Sequence, residues 1–76
     1  MLIETNFEFR GASCVTSKDG TKSYVYVNVE DSDGESAKFL SSLPYEEVKN
    51  LERGEHYQFS LDYSIKYGSL RIVGVE

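Results

Sequence analysis

The stretch Lys22-Ser23-Tyr24-Val25-Tyr26-Val27-Asn28-Val29-Glu30 alternates two kinds of side chain with a period of two. Successive residues of a β-strand point to opposite faces, so Val25, Val27 and Val29 share one face and Tyr24, Tyr26 and Asn28 the other. The valine face suits a core. The tyrosine face suits either cross-strand packing or a platform on which flat ligands stack. The rest of the chain decides whether a barrel stands behind this strand.

Upstream, Ser17-Lys18-Asp19-Gly20-Thr21-Lys22 reads as a hairpin connection, with Asp-Gly its strongest signal. Before it, Leu2–Arg10 places Ile3, Thr5, Phe7 and Phe9 on one face and Glu4, Asn6, Glu8 and Arg10 on the other, as in a half-buried antiparallel strand. Gly11 interrupts the alternation before Ala12-Ser13-Cys14-Val15 resumes it. A glycine here marks a bulge or sharp bend in one long strand, or a loop between two strands.

Downstream, Glu30-Asp31-Ser32-Asp33-Gly34-Glu35 is a second Asp-Gly turn. Its alternating acids suggest a calcium loop, but Ser42 stands where the terminal bidentate Glu would be needed. Ser36–Ser41 is a short strand, with Ala37 and Phe39 opposed to Lys38 and Leu40; its inner face is undecided. Pro44, the acids Glu46 and Glu47, the spaced Val48 and Leu51, and Gly54 predict one helix of two to three turns. Leu43 or Tyr45 continues its apolar stripe. Glu55–Tyr63 then sets Tyr57, Phe59, Leu61 and Tyr63 against His56, Gln58, Ser60 and Asp62. After a turn around Lys66, Tyr67 and Gly68, the last strand opposes Leu70 and Ile72 to Arg71, Val73 and Val75.

The order is therefore three strands, a short helix and two strands. A bent first strand with a helix between the third and fourth is the layout of the OB-fold, a five-stranded Greek-key barrel. The expected fold is mainly β, one OB-fold-like domain over residues 1–76 with one short helix between strands three and four. An SH3-like barrel gives no reason for that helix; a sheet crossed by one helix is the remaining competitor.

Composition bounds the function. At 76 residues the core is small, leaving little room for a closed catalytic cavity. Cys14 is the sole cysteine and His56 the sole histidine, so neither a disulfide, a metal cluster nor a nucleophile pair is supported, and no cofactor is expected. There is no phosphate loop, nucleotide fingerprint or nucleophile elbow, and the chain reads as a non-enzyme. Residues 1–10 lack a leader pattern and no run approaches the ~20 apolar residues of a membrane helix, so a soluble, cytoplasmic protein is expected. The formal charge of −5 argues against nucleic acid. Eight of the thirteen acids, however, fall in two clusters, 30–35 and 46–55. Ser17–Asn28 is net +1 and Ser64–Val75 net +2.

OB barrels bind ligand on the outer face of strands two and three, framed by the loops joining strands one to two and four to five. That surface here carries Tyr24, Tyr26 and Asn28, with Lys18 and Lys22 on the first loop, Lys66 and Tyr67 on the other, Arg71 just beyond and Lys38 on strand three. Single-strand binders combine these types: rings stack bases while cations track phosphates.

The segment Lys18-Asp19-Gly20-Thr21-Lys22-Ser23-Tyr24 resembles the basic hairpin and tyrosine strand of the filamentous-phage gene V type of single-stranded-DNA-binding proteins. Ile65-Lys66-Tyr67-Gly68-Ser69-Leu70-Arg71-Ile72-Val73 is similar to that family's aromatic-Gly-Ser-Leu segment. The resemblance covers the middle and last third of the chain. It implies single-stranded DNA as partner, a homodimer, a replication role in a phage or other mobile element, and DNA contacts at Lys18, Lys22, Tyr24, Tyr26 and Tyr67. The chain departs from the family in being shorter, acidic and helix-bearing.

Bland readings stand beside these. Tyr24 and Tyr26 also suit a solvated sheet face, the lysines suit ordinary surface charge, and Tyr57 and Tyr63 suit the core. RNA offers the same phosphates and base faces to such a surface and is a second candidate partner. The alternative function is an acidic protein-interaction module, meeting a basic partner protein through Glu30–Glu35 and the acidic helix.

Overall fold

The first strand sets the shape. In the computed structural model, which describes Met1–Glu76, β1 runs unbroken from Leu2 to Thr16. Fifteen extended residues would span about 50 Å at ~3.3 Å each. The longest dimension of the molecule is 38 Å, so β1 has to bend. It bends where the alternation breaks. Phe9 pairs with Val29 and Gly11 with Asn28, leaving Arg10 as the extra residue of a β-bulge. Gly11 takes φ 134°, which side-chain-bearing residues rarely adopt. The strand therefore serves two sides of a barrel. Leu2–Glu8 pair with β4 (His56–Ser64), and Glu8–Thr16 pair with β2 (Ser23–Glu30).

β2 pairs in turn with β3 (Ser36–Ser41), and β5 (Ser69–Val75) lies between β3 and β4. The order β1-β2-β3-β5-β4 closes on itself, giving the five-stranded OB barrel with one short helix, α1 (Tyr45–Val48), between β3 and β4. The β3–β5 pairing is the one parallel ladder and holds just Leu40 against Arg71 and Ser41 against Ile72.

The core is Phe9, Val27, Val29, Val48, Phe59, Leu61 and Ile72. The valine face of β2 points inward, and β3 follows it: Ala37 pairs with Val29 and Phe39 with Val27, so Lys38 and Leu40 face outward. Phe39 stacks on Phe7 at 6.0 Å, and Tyr57 meets Phe9 and Phe59 edge-on at 6.4 Å, favoured geometries for aromatic rings. The Tyr57 hydroxyl accepts the Glu52 N–H at 3.0 Å, so its polar tip is satisfied. On β1 the inward residues lose cover toward the start, and Ile3 is 40% exposed. The β2 ladder ends at Glu8–Glu30, so that stretch has a strand on one side only.

Three sequence expectations need correction. The helix is one turn, not two to three. The Asn50 amide takes the Glu46 carbonyl at 3.1 Å, the acceptor a longer helix would offer the residue 50 N–H, and Leu51 N–H bonds back only as far as Val48. Gly54, at φ 94°, ends the following turn, where its N–H bonds the Phe9 carbonyl at 2.8 Å. On β5, Val75 shares the inner face with Ile72: Ile72 pairs with Leu61 and Gly74 with Ser60, so Val73 is bulged out of register and every later residue changes face. Tyr63, placed with the core from its alternation, is half-buried and lies outside the packed cluster.

A Cβ added at Gly11 would also lie 2.9 Å from Nη2 of Arg53. Gly11→Ala is expected to destabilise the barrel by roughly 1–3 kcal/mol in urea unfolding. Gly20→Ala, at φ 74° in open space, meets no such obstruction and should cost less.

Candidate nucleic-acid interface

The outer face of β2 is flanked on both sides, so its residues sit in transverse rows. Tyr26 lies between Ser13 of β1 and Leu40 of β3, and Leu40 lies beside Arg71 of β5. Asn28 lies between Gly11 and Lys38, and Tyr24 opposes Val15. Tyr24 is 38% exposed; Tyr26 and Asn28 are half-buried. Part of that cover is electrostatic. The Lys38 ammonium sits 4.8 Å from the Tyr26 ring centroid, a cation–π contact.

Two loops frame this face. In the β1–β2 hairpin, Asp19 accepts from the Ser17 hydroxyl at 2.6 Å and from the Thr21 hydroxyl and N–H at 2.8 and 3.1 Å. These bonds, the one from Ser17 first, hold the Asp19 carboxyl down at about 2. The turn is thus fixed by its acid while Lys18 and Lys22 project into solvent. In the β4–β5 loop, Gly68 at φ 62° donates to the Ser64 carbonyl at 2.7 Å, and Tyr67 N–H reaches the Ser64 hydroxyl at 3.3 Å. The Tyr67 ring is left 74% exposed, with the Lys66 ammonium 5.2 Å from its centroid.

Most of the cations without a carboxylate partner gather on this side of the barrel. Of the eight cations, Arg10 and Lys49 form salt bridges, to Glu8 and Glu30 and to Glu46. Lys18, Lys22, Lys38, Lys66 and Arg71, together with Arg53 beside Gly11, have no carboxylate within 4.0 Å. The acidic 30–35 turn lies at the other end of β2 from Lys22, about 23 Å away at ~3.3 Å per residue. That is more than twice the Debye length of about 8–10 Å at ordinary salt, so the turn leaves the hairpin cations unscreened by its own charge.

Two clefts open on this side. One, of about 310 Å³, lies between the start of β2, the end of β3 and Arg71, and includes Ser23, Tyr24, Leu40, Ser42 and Leu43. The other, of about 220 Å³, is lined by Asp62, Ser64, Tyr67, Ser69 and Arg71. Arg71 is common to both. Asp62, although the β4 partner of Arg71, gives its Oδ1 to the Met1 ammonium at 3.1 Å.

The structure thus gathers Tyr24, Tyr26, Asn28, Lys38 and Arg71 on one surface and joins Tyr67 to it through the second cleft. Lys18, Lys22 and Lys66 stand on the framing loops and line neither cleft. Sequence reading passed over Leu40, Ser42 and Leu43 as cleft residues. Leu40 had a signal, since it alternates with Phe39. Ser42 and Leu43 had none, because the parallel β3–β5 pairing brings them near Arg71. Comparison with family models, curated proteins and solved structures finds no match.

Because the Asp19 carboxyl is depressed from 3.8 to about 2, the hairpin gains from its ionised form. That gain is complete above about pH 4 and is lost as pH falls through about 2. The Thr21 amide resonance is expected to titrate with a midpoint near 2, and the titration should vanish in Asp19→Asn.

Proposed function

We propose that this barrel binds single-stranded nucleic acid, DNA in the first instance, across the outer face of β2, β3 and β5. The supporting observation is the distribution of unpaired cations. Five of the six cations without a carboxylate partner stand on this face or its framing loops, with the exposed rings of Tyr24 and Tyr67 and the lysine-capped ring of Tyr26. Bases stack on such rings at about 1–3 kcal/mol each, with little dependence on sequence, while lysine and arginine neutralise the phosphates. The resemblance of Lys18–Tyr24 and Ile65–Val73 to the gene V type supports the same reading. The net charge of −5 predicts modest affinity and strong dependence on salt.

Intrinsic tyrosine fluorescence during titration with oligo-dT tests this directly, since no tryptophan masks the signal. Quenching is expected at 50 mM salt. Five phosphate contacts on a single strand give a log–log salt slope of about −3.5, so affinity should fall roughly a hundredfold between 50 and 200 mM. Tyr24→Ala and Tyr67→Ala should weaken binding, and charge reversal at Glu46 and Glu47 should not. An unquenched signal at low salt, with no shift in melting temperature, would refute the proposal.

A further inference from the structure

Arg71 stands between two clefts of different character. The larger one is half apolar, through Tyr24, Val25, Leu40 and Leu43, and its polar wall is made of serines. Their hydroxyls are not equivalent. Ser41 Oγ accepts the Leu43 N–H at 3.0 Å and reaches the Leu43 carbonyl at 3.3 Å, so it is spent on the chain itself. Ser23 and Ser42 make no side-chain hydrogen bond within the protein, and each can donate or accept. The guanidinium at the boundary is charged at every relevant pH, unpaired, and suited to two-point contact with a phosphate.

We infer that this larger cleft receives one unstacked nucleobase per protein, walled by Tyr24, Leu40 and Leu43, with the adjoining phosphate on Arg71 and the next nucleotide directed toward Tyr67. The inference rests on the proposed function and deepens it. A flat face treats all bases alike, whereas a cleft must take one base out of its neighbours' stack. That cost is lower for a pyrimidine, whose stacking is weaker, and Ser23 and Ser42 can adjust to either edge pattern of thymine or cytosine. The cleft's volume, about 310 Å³, is at the small end of ligand sites and accommodates a nucleobase. The path of the strand follows: it crosses the sheet from β2 over Arg71 to the β4–β5 loop.

The test uses a filled cleft. Ser42 and Ser23 are both exposed, so Ser42→Leu and, separately, Ser23→Leu should fold, which thermal melts will verify. An aliphatic side chain blocks the cleft without offering a new stacking surface. Each variant is titrated by anisotropy with labelled oligo-dT, oligo-dA and an abasic oligomer of the same length. The wild type should prefer oligo-dT to oligo-dA. Ser42→Leu or Ser23→Leu should lose roughly tenfold affinity for oligo-dT, equivalent to one base position, with the salt slope unchanged. Affinity for the abasic strand should be the same in all three proteins. If both filled variants bind oligo-dT as tightly as wild type, the base cleft is wrong while surface binding survives. If the wild type binds no oligomer at low salt, the proposed function falls and the cleft with it.

Discussion

Closure of the barrel depends on the bend in β1. A strand too long for the molecule has to turn, and it can do so at Gly11 because that residue alone combines φ 134° with the close approach of Arg53. The bend lets one strand hydrogen-bond to β4 with its first half and β2 with its second, which closes the barrel. It also fixes the face of everything after it. Were Arg10 to pair in regular alternation instead of bulging, Ala12 would turn outward and Ser13 inward, and Val27 would lose its inward neighbour across the ladder.

An acidic protein with a cationic face is a matter of pairing as much as of placement. Arg10 is committed to Glu8 and Glu30, and Lys49 to Glu46, each on exposed surface where such pairs contribute little. Of the six cations left over, Arg53 lies against Gly11 and the other five stand around the tyrosines. Acids that could neutralise them are engaged or distant: Asp19 is bound within its own turn, and Asp31 caps the N–H groups of Asp33 and Glu35 at 2.9 Å. Local hydrogen bonding thus keeps carboxylates away from the lysines beside them in sequence.

The tyrosines divide by environment. Tyr26 is gripped on one side by Lys38 and flanked by Ser13 and Leu40, so it contributes to the sheet whether or not a ligand is present. Tyr67 stands on a loop with no packing duty and most of its ring in water. Tyr24 is intermediate, forming a cleft wall with an exposed edge.

Much of this was legible in the chain. Period two placed Val25, Val27 and Val29 inside and Tyr24, Tyr26 and Asn28 outside; Asp-Gly placed both hairpins; Gly11 announced the bulge; and the order of elements gave the OB barrel. These are local properties, set by alternation and by turn chemistry. What the tertiary structure decided is non-local. Gly74 follows the bulged Val73 as Gly11 follows the bulged Arg10, but valine is compatible with either face, so the inward turn of Val75 is fixed only by its pairing with Phe59. The helix lost its later turns to the Asn50 amide. The clefts exist because Leu40 and Arg71, far apart in the chain, meet in a two-pair parallel ladder. Nothing in local periodicity sets the register of such a pair; it is fixed only when the bent first strand closes the barrel.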